Sequence, residues 1–505
     1  MVQTIIQQIL AVLTRARTFL ATHRRRIAAG ILAALFVSLA IAGAGIVRPR
    51  KVDFLNSLSN FSTSDFDDYF QASRSFQQGE DPYRLGQIND LFSLFESPAD
   101  LSNPLKIMAA LEKLKGVGTY LYPPFTAFVL TPLTGLSYEV AAGIFQTLSL
   151  LALAGFLLII FRLHRGQERG DDAPFFIAAA VATILLYRFL DGNAGNGNIG
   201  FFLILLCGAG LVLALRGPAV WEFAGGVLLG VATVMKITPG FFGLVLIGGR
   251  RVVGIFGMGF GAAAALLLPA LTLGWGRNLE LLGNWNRLIL QTFSQMSFVR
   301  PWMNNQSVSG AIGKLFMPGS DKNQAAYGLP LDWANVQGPA DIAVFAQGVK
   351  TANLALVALG LIVAFIVAWR WRAVAIEPER RTLAQIFSPD ILRLTVLAAL
   401  ISLLVAGVSW YHAYSILFVP VVIRLYLHWS GESPIDWWDG AWLAVFGFFG
   451  IAQSLLSRSA REGLALYSVF AFLCFGIVVL LAWRIVFGSR AGRLIRSVHV
   501  RGRGA

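Results

Sequence analysis

Apolar residues run through this chain in long blocks, separated by short connectors rich in arginine. A helix needs about 20 mostly apolar residues to cross a bilayer. Blocks of roughly that kind predict crossings near 27–47, 139–161, 174–188, 199–215, 223–235, 239–249 and 252–275. A second series follows near 351–371, 391–409, 412–427, 437–456 and 463–487, about twelve in all. The segments 223–235 and 239–249 are short and interrupted by Gly and Pro, the form helices take beside a binding cavity. Residues 120–136 open on Tyr120-Leu121-Tyr122-Pro123-Pro124 and predict an interfacial or re-entrant piece. A full crossing there would put every later arginine-rich connector on the wrong side. The pattern is that of an all-α polytopic membrane protein with large outer loops at 48–119 and 276–350. A leader at 1–26 carries Ile, Leu and Val at helical spacing between arginines, which predicts an amphipathic helix on the inner surface. Residues 27–487 form the membrane unit and 488–505 a basic tail.

Composition agrees. The 505 residues are 56% hydrophobic and only 13% charged, and the mean hydropathy is +0.65, outside the range of soluble domains. A formal charge of +14 raises the question of nucleic acid, but its distribution answers no. Arg15, Arg17, Arg24, Arg25 and Arg26 precede the first crossing, and Arg490, Arg493, Arg496, Arg501 and Arg503 follow the last. Arg162, Arg165, Arg169, Arg216, Arg250, Arg251, Arg370 and Arg372 fill alternate connectors. Basic residues gather on the cytoplasmic side of membrane proteins, so both termini are expected there, in the inner (cytoplasmic) membrane. Cys207 and Cys474 lie far apart within apolar runs and read as buried thiols.

With this orientation the unusual polar residues meet on the outer, periplasmic or extracellular side. The first outer loop holds Asp65, Asp67 and Asp68, interleaved with Phe66, Tyr69 and Phe70. Asn193, Asn196 and Asn198 lie in an Asn-Gly connector that reads as a tight turn. Lys236 ends a short crossing, Asn305 and Gln306 lie in the second outer loop, and His412 follows Trp410-Tyr411. A loop carboxylate is commonly a solvated helix cap, and Asp67 and Asp68 fit that description. Asp65, placed just before an aromatic pattern able to line a pocket, reads as a general base. Lys236 is the only charge between two short crossings, and an ionisable group near membrane depth marks function.

Several motifs, in order, resemble one family. Asp65-Phe66-x-x-Tyr69-Phe70-x-Ala72, Gly79-x-Asp81-Pro82-Tyr83, Tyr122-Pro123-Pro124, Lys236-x-x-Pro239 and Asn305-Gln306-Ser307 are similar to the GT87-type polyprenyl-phosphate-sugar-dependent glycosyltransferases. Members include mycobacterial phosphatidylinositol mannosyltransferases. The resemblance implies a GT-C membrane fold, an outer-loop aspartate as base, and a lipid-linked sugar as donor, with mannose the leading sugar. The usual Gly-Gln-x-Asn here reads Gly195-Asn196-Gly197-Asn198, and Asp67 and Asp68 add acid beside the expected base.

The expectation is inverting transfer of one sugar from a polyprenyl-phosphate donor to a lipid or glycan acceptor, with Asp65 as general base. Lys236 and His412 are the expected partners of the donor phosphate. Asp68, Tyr69, Tyr122, Asn196, Asn198, Asn305 and Gln306 are the expected substrate contacts, with Trp302 beside them. No cofactor is called for, and a divalent metal on the clustered aspartates is not favoured. The partners are thus the donor, the acceptor and the bilayer. Two other readings stand: a lipid-linked glycan flippase, and an undecaprenyl-diphosphate glycan polymerase or ligase using Arg74, Arg84, Arg287 and Arg300.

Overall fold

The computed structural model describes residues 2–47, 64–83, 120–166, 171–287, 304–316, 339–370 and 382–501. Trp302, Arg84 and Arg300 lie outside them. The described residues are mostly helical, joined by short turns, with no strand among them. Among the described residues, five helices are long and apolar enough to cross a membrane: Thr22–Ala44, Tyr138–Arg165, Val252–Leu273, Gln347–Arg370 and Val469–Gly488. A sixth crossing arises if Ala173–Leu185 and the sharply bent Tyr187–Asn196 are counted together. The other expected crossings appear as shorter helices such as Gly200–Arg216, Ala219–Met235 and Pro389–Val405. By length alone, therefore, the expected twelve are not reproduced.

Local chemistry explains the helix ends. Tyr138–Arg165 starts at Ser137, whose Oγ accepts from Val140 N, with Glu139 in its first turn. Arg162, His164 and Arg165 occupy its last turn, so both ends complement the helix dipole. Pro389–Val405 begins on Ser388, with Pro389 and Asp390 in the first turn, and is buried without a break from Ile391 to Leu404. It is the central column of the bundle. Ala219–Met235 and Val252–Leu267 approach closely through glycines: a Cβ on Gly257 would stand 2.2 Å from the Phe223 carbonyl oxygen. Small residues let membrane helices pack at such range. Cys207 and Cys474 are buried free thiols, as their settings predict.

Three local readings change. The leader is not a separate helix, because Val2–Ala44 is one uninterrupted helix. The 174–188 crossing stops at Leu185 and turns by 71° into a second helix, Tyr187–Asn196. The expected Asn-Gly turn is therefore helical up to Asn196, and only Gly197 and Asn198 form the turn. Gly197 has φ +62°, and its left-handed backbone lets Asn198 N donate to the Asn193 carbonyl at 3.0 Å. The Tyr-Pro-Pro piece keeps its reading as one that does not cross: it is a short helix, Pro124–Leu130, followed by a 3₁₀ turn. Its Phe125 packs with Val234 and Ala265.

The two ends of the bundle differ. At one, Arg25 pairs with buried Asp172 at 3.1 Å, Arg24 pairs with Asp171, and the His164 ring meets the Tyr426 hydroxyl at 3.0 Å. At that end too, buried Arg393 reaches Asp436 at 2.6 Å and Asp439 at 3.2 Å, while Arg424 holds Asp439 at 2.7 Å. Pairing is what makes buried charge tolerable. Asp65, Asn198, Lys236 and His412 meet at the other end.

Candidate active site

Asp65 is the first residue of the Asp65–Gln77 helix. Ser64 caps it, its Oγ accepting from Asp67 N at 3.1 Å, and Asp65, Asp67 and Asp68 crowd its positive end. Gly79, at φ +74°, stops it, and Glu80 N donates back to the Ser75 carbonyl at 2.8 Å. Aromatic residues fix the helix in place. Phe66 packs on Phe145 with ring centres 4.8 Å apart, and Phe70 meets Tyr138 edge-on at 5.6 Å. A Cβ on Gly197 would sit 2.8 Å from Phe66 Cβ, so the helix docks against the turn that precedes Asn198.

Asn198 is the hub. Its Oδ1 accepts from Gly200 N at 3.0 Å, which orients the amide and turns Nδ2 toward three partners. Nδ2 donates to Asp65 Oδ2 at 2.8 Å and to the Tyr69 hydroxyl at 3.3 Å, and stands 3.4 Å from His412 Nε2. His412 Nε2 lies 3.6 Å from the same carboxylate oxygen. Asp65 keeps 32% of its side chain exposed, whereas His412 keeps 12%. The acid is thus held from behind and open in front. Tyr69 donates to the Tyr122 hydroxyl at 3.0 Å, with the two rings edge to face at 5.1 Å. Tyr122 is placed by Tyr83, whose hydroxyl donates to the Tyr122 carbonyl at 2.8 Å.

Lys236 follows the Ala219–Met235 helix and feels the charge of Asp65. It shares a small cleft with Asn198, Gly200, Thr238, Pro239 and Ser415. These groups stand beyond the long apolar spans. Burial pushes the His412 imidazole down to about 4, Lys236 adds to that, and Asp65 opposes it, so the ring is neutral at pH 7. Burial lowers the Lys236 ammonium too, against the pull of Asp65. Burial raises both Tyr69 and Tyr122, which keeps them as neutral phenols able to donate and accept.

The expected site residues therefore divide. Asp65, Tyr69, Tyr122, Asn198, Lys236 and His412 come together. Asp68 is half-buried on the same helix and adds its charge to Tyr69 and Tyr122. Asp67 is turned to the side of Gln71, whose Nε2 donates to it at 3.4 Å. Asn196 is exposed and donates to the Gly192 carbonyl of its own helix at 2.7 Å, away from the cluster. Asn305 and Gln306 are fully buried and engaged with backbone. Asn305 Oδ1 accepts from Ser409 N at 2.9 Å and its Nδ2 donates to the Gly407 carbonyl at 3.1 Å. Gln306 Nε2 donates to the Ala465 carbonyl at 3.1 Å, and its own carbonyl accepts from Tyr414 at 2.9 Å. The Asn305 amide braces the stretch of chain that leads into His412, and Gln306 ties to the same stretch through its backbone, its N donating to the Ser409 carbonyl at 2.8 Å. Asp81 closes a turn, accepting from Tyr83 N at 3.0 Å. Among the described residues no group of three or more His, Cys, Asp or Glu is placed to hold a metal ion. Sequence reasoning passed over Thr238 and Ser415 in the cleft, and took Arg188 for the last residue of a crossing. No local pattern marks any of the three.

Fold and site define a class: a polytopic helical membrane protein of the GT-C type, with one carboxylate bonded by an amide and flanked by an imidazole at an end of the bundle. The chain belongs to glycosyltransferase family 87, whose profile matches residues 120–389. That stretch includes Tyr122, Asn198 and Lys236, while Asp65 and His412 fall outside it. Two curated relatives are polyprenol-phosphate-mannose-dependent alpha-(1-2)-phosphatidylinositol pentamannoside mannosyltransferases. The protein of Mycolicibacterium smegmatis is 33% identical over 132 residues, covering 26% of this chain and 30% of the relative. That of Mycobacterium tuberculosis is 29% identical over 133 residues, covering 26% and 29%. The matched segments thus span under a third of those relatives. No solved structure matches.

Proposed function

We propose that this protein transfers a single sugar, mannose first among the candidates, from a polyprenyl-phosphate donor to a lipid or glycan acceptor, with inversion. The observation that carries the reading is the Asp65 carboxylate, held 2.8 Å from Asn198 Nδ2 beside a neutral imidazole and a lysine. Family membership and the names of the two relatives support the donor class.

The acceptor hydroxyl oxygen attacks the anomeric carbon, forming the new glycosidic bond. The bond from that carbon to the phosphate oxygen breaks, and its electron pair leaves with the polyprenyl phosphate. Asp65 takes the hydroxyl proton, help of the kind worth about 10²–10⁴-fold. Lys236 meets the charge developing on the phosphate, an effect strongest where water is scarce. His412, neutral at pH 7, donates to the phosphate from a ring nitrogen. The donor already carries its phosphate on a lipid, so the apolar helices and the Tyr122-Pro123-Pro124 piece hold the prenyl chain. The reaction in this form uses no metal or other cofactor.

The orientation follows from charge. Arg24, Arg25, Arg162 and Arg165 cluster at the end of the bundle away from Asp65. This favours cytoplasmic termini and a site facing outward. The test is transfer by purified protein supplied with polyprenyl-phosphate mannose and a panel of acceptor lipids, with products read by mass spectrometry. Asp65→Asn should lose at least 10²-fold in kcat, and Asp68→Asn far less. A chelator should leave the rate unchanged. Full activity in Asp65→Asn would overturn the assignment of the base. Donor carried across a vesicle membrane with no product formed would point to a flippase.

A further inference from the structure

The Trp275–Trp285 helix takes no part in the chemistry above, yet it grips both stretches of chain that build the Asp65 side of the site. Arg277 donates to the Gly79 carbonyl at 2.8 Å, just past the end of the Asp65 helix. Trp285 Nε1 donates to the Leu121 carbonyl at 3.2 Å, one residue before Tyr122. Beside Trp285, buried Asn284 gives its Nδ2 to Asp81 Oδ2 at 3.2 Å, and its Oδ1 accepts from Arg287 at 3.1 Å. The other carboxylate oxygen of Asp81 accepts from Tyr83 N at 3.0 Å. Tyr83 is fully buried and its hydroxyl donates to the Tyr122 carbonyl at 2.8 Å. Three consecutive hydrogen bonds therefore run from Asn284 to the backbone of Tyr122.

What is held in this way is a donor. On the inner side the order of the bonds follows from the Asn198 amide, whose N–H can only give. Nδ2 gives to the Tyr69 oxygen at 3.3 Å, and Tyr69 gives its one proton to the Tyr122 oxygen at 3.0 Å. The proton of Tyr122 itself is left over, and among the described residues no protein group accepts it. Tyr122 is partly exposed, so that proton is available to a ligand. The reaction says which ligand. Inversion places the entering hydroxyl and the departing phosphate on opposite faces of the sugar carbon. Lys236 lines the cleft on one side of Asn198, with Thr238 and Ser415, and Tyr122 has no part in that cleft. Tyr122 is bonded instead to Tyr69, on the helix that carries the base, which is where the acceptor enters.

We propose that Asp81 and Asn284 are positioning residues, which hold the Tyr122 hydroxyl where it donates to one oxygen of the acceptor while Asp65 takes the proton of the attacking one. The inference rests on the glycosyl-transfer reading, and its test tells the two apart. Purified full-length protein is given polyprenyl-phosphate mannose, with octyl mannoside or phosphatidylinositol as acceptor, and initial rates are read by mass spectrometry. Tyr122→Phe should raise the acceptor KM about 3–10-fold, the scale of one neutral hydrogen bond, and leave the donor KM in place. Asp81→Asn should do the same, because one of its two contacts then sets N–H against N–H. In a Tyr122→Phe background, Asp81→Asn should add no further loss, since Phe keeps the carbonyl that Tyr83 holds and lacks only the hydroxyl. A merely structural role for Asp81 would add its full loss there and move both KM values. Asn284→Asp alone sets two carboxylates together and should be worse. Combined with Asp81→Asn it should restore the acceptor KM. In that exchanged pair the amide at position 81 still accepts from Tyr83 N and gives its N–H to the acid at position 284, which Arg287 also meets. The exchange decides the question even if Asp81→Asn alone proves poorly folded in melting curves. Additive losses in the Tyr122→Phe background, or an exchanged pair no better than Asn284→Asp, would overturn the inference. A wild type that forms product with neither acceptor would remove the glycosyl-transfer reading, and this inference with it.

Discussion

Replacing Asn198 by Asp or by Ala separates two roles for this residue. Asn198 is bound at both ends of its amide: Oδ1 accepts from Gly200 N at 3.0 Å, and Nδ2 donates to Asp65 at 2.8 Å. Asn198→Asp keeps the shape and the acceptor for Gly200, but sets a second carboxylate against Asp65. Asn198→Ala removes both contacts and adds no charge. A hydrogen bond to a charged group is worth about 1.5–3 kcal/mol, so Asn198→Ala should cost roughly 10–150-fold in kcat. Asn198→Asp should cost more, because two carboxylates in contact repel where a donor once attracted. If Asn198 served only to shape the cleft, the order would reverse, and the near-isosteric Asp would be the milder change. The assay is transfer from polyprenyl-phosphate mannose, followed by mass spectrometry, with melting curves to show that each variant is folded. In an Asp65→Asn background, Asn198→Asp should add little further loss, since residues acting as a unit are not additive. An Asp variant more active than the Ala variant, or an Ala variant within twofold of wild type, would refute the role given to this contact.

Two further outcomes follow from the structure. Gly197→Ala should destabilise by about 2–5 kcal/mol, from the left-handed backbone and a Cβ forced into Phe66. Gly195→Ala should be mild, as its Cβ would meet only the Ala42 carbonyl oxygen at 3.9 Å; equal melting temperatures for the two variants would contradict the docking described for the Asp65 helix. Burial pushes the Lys314 ammonium down to about 7 from its ordinary 10.5, outside the membrane spans. Between those values the unfolded chain binds more protons than the folded one, so stability should rise with pH from about 7 to 10.5. Lys314→Met should flatten that rise in melting curves, and an unchanged slope would show that other groups carry it.

Much of the fold is legible along the chain because the forces behind it are local. A run of apolar residues makes a span wherever it sits, and five of the expected crossings contain or overlap the five long apolar helices. Ser137, Ser388 and Ser64 mark helix starts by a bond only three residues long. Motif order pointed to the family, and the family profile agrees. The shorter helices were harder to count, since a helix buried among others escapes the length that lipid imposes.

The site was legible as a list of residue types and not as a set of contacts. Asn196 and Asn198 look alike in sequence, yet one is spent on its own helix and the other touches Asp65. Asn305 and Gln306 looked like substrate contacts and instead brace backbone a hundred residues away. Arg188 looked like the end of a crossing, and a 71° bend lays it over Tyr411. The sequence by itself determined which segments are apolar enough for the bilayer, where many helices begin, and which carboxylate stands before the aromatic face. Only the tertiary structure decided which groups share that carboxylate. The reason is physical: an apolar run or a cap acts over a few residues, whereas Asn198 and His412 reach Asp65 only once packing has closed 133 and 347 residues of intervening chain.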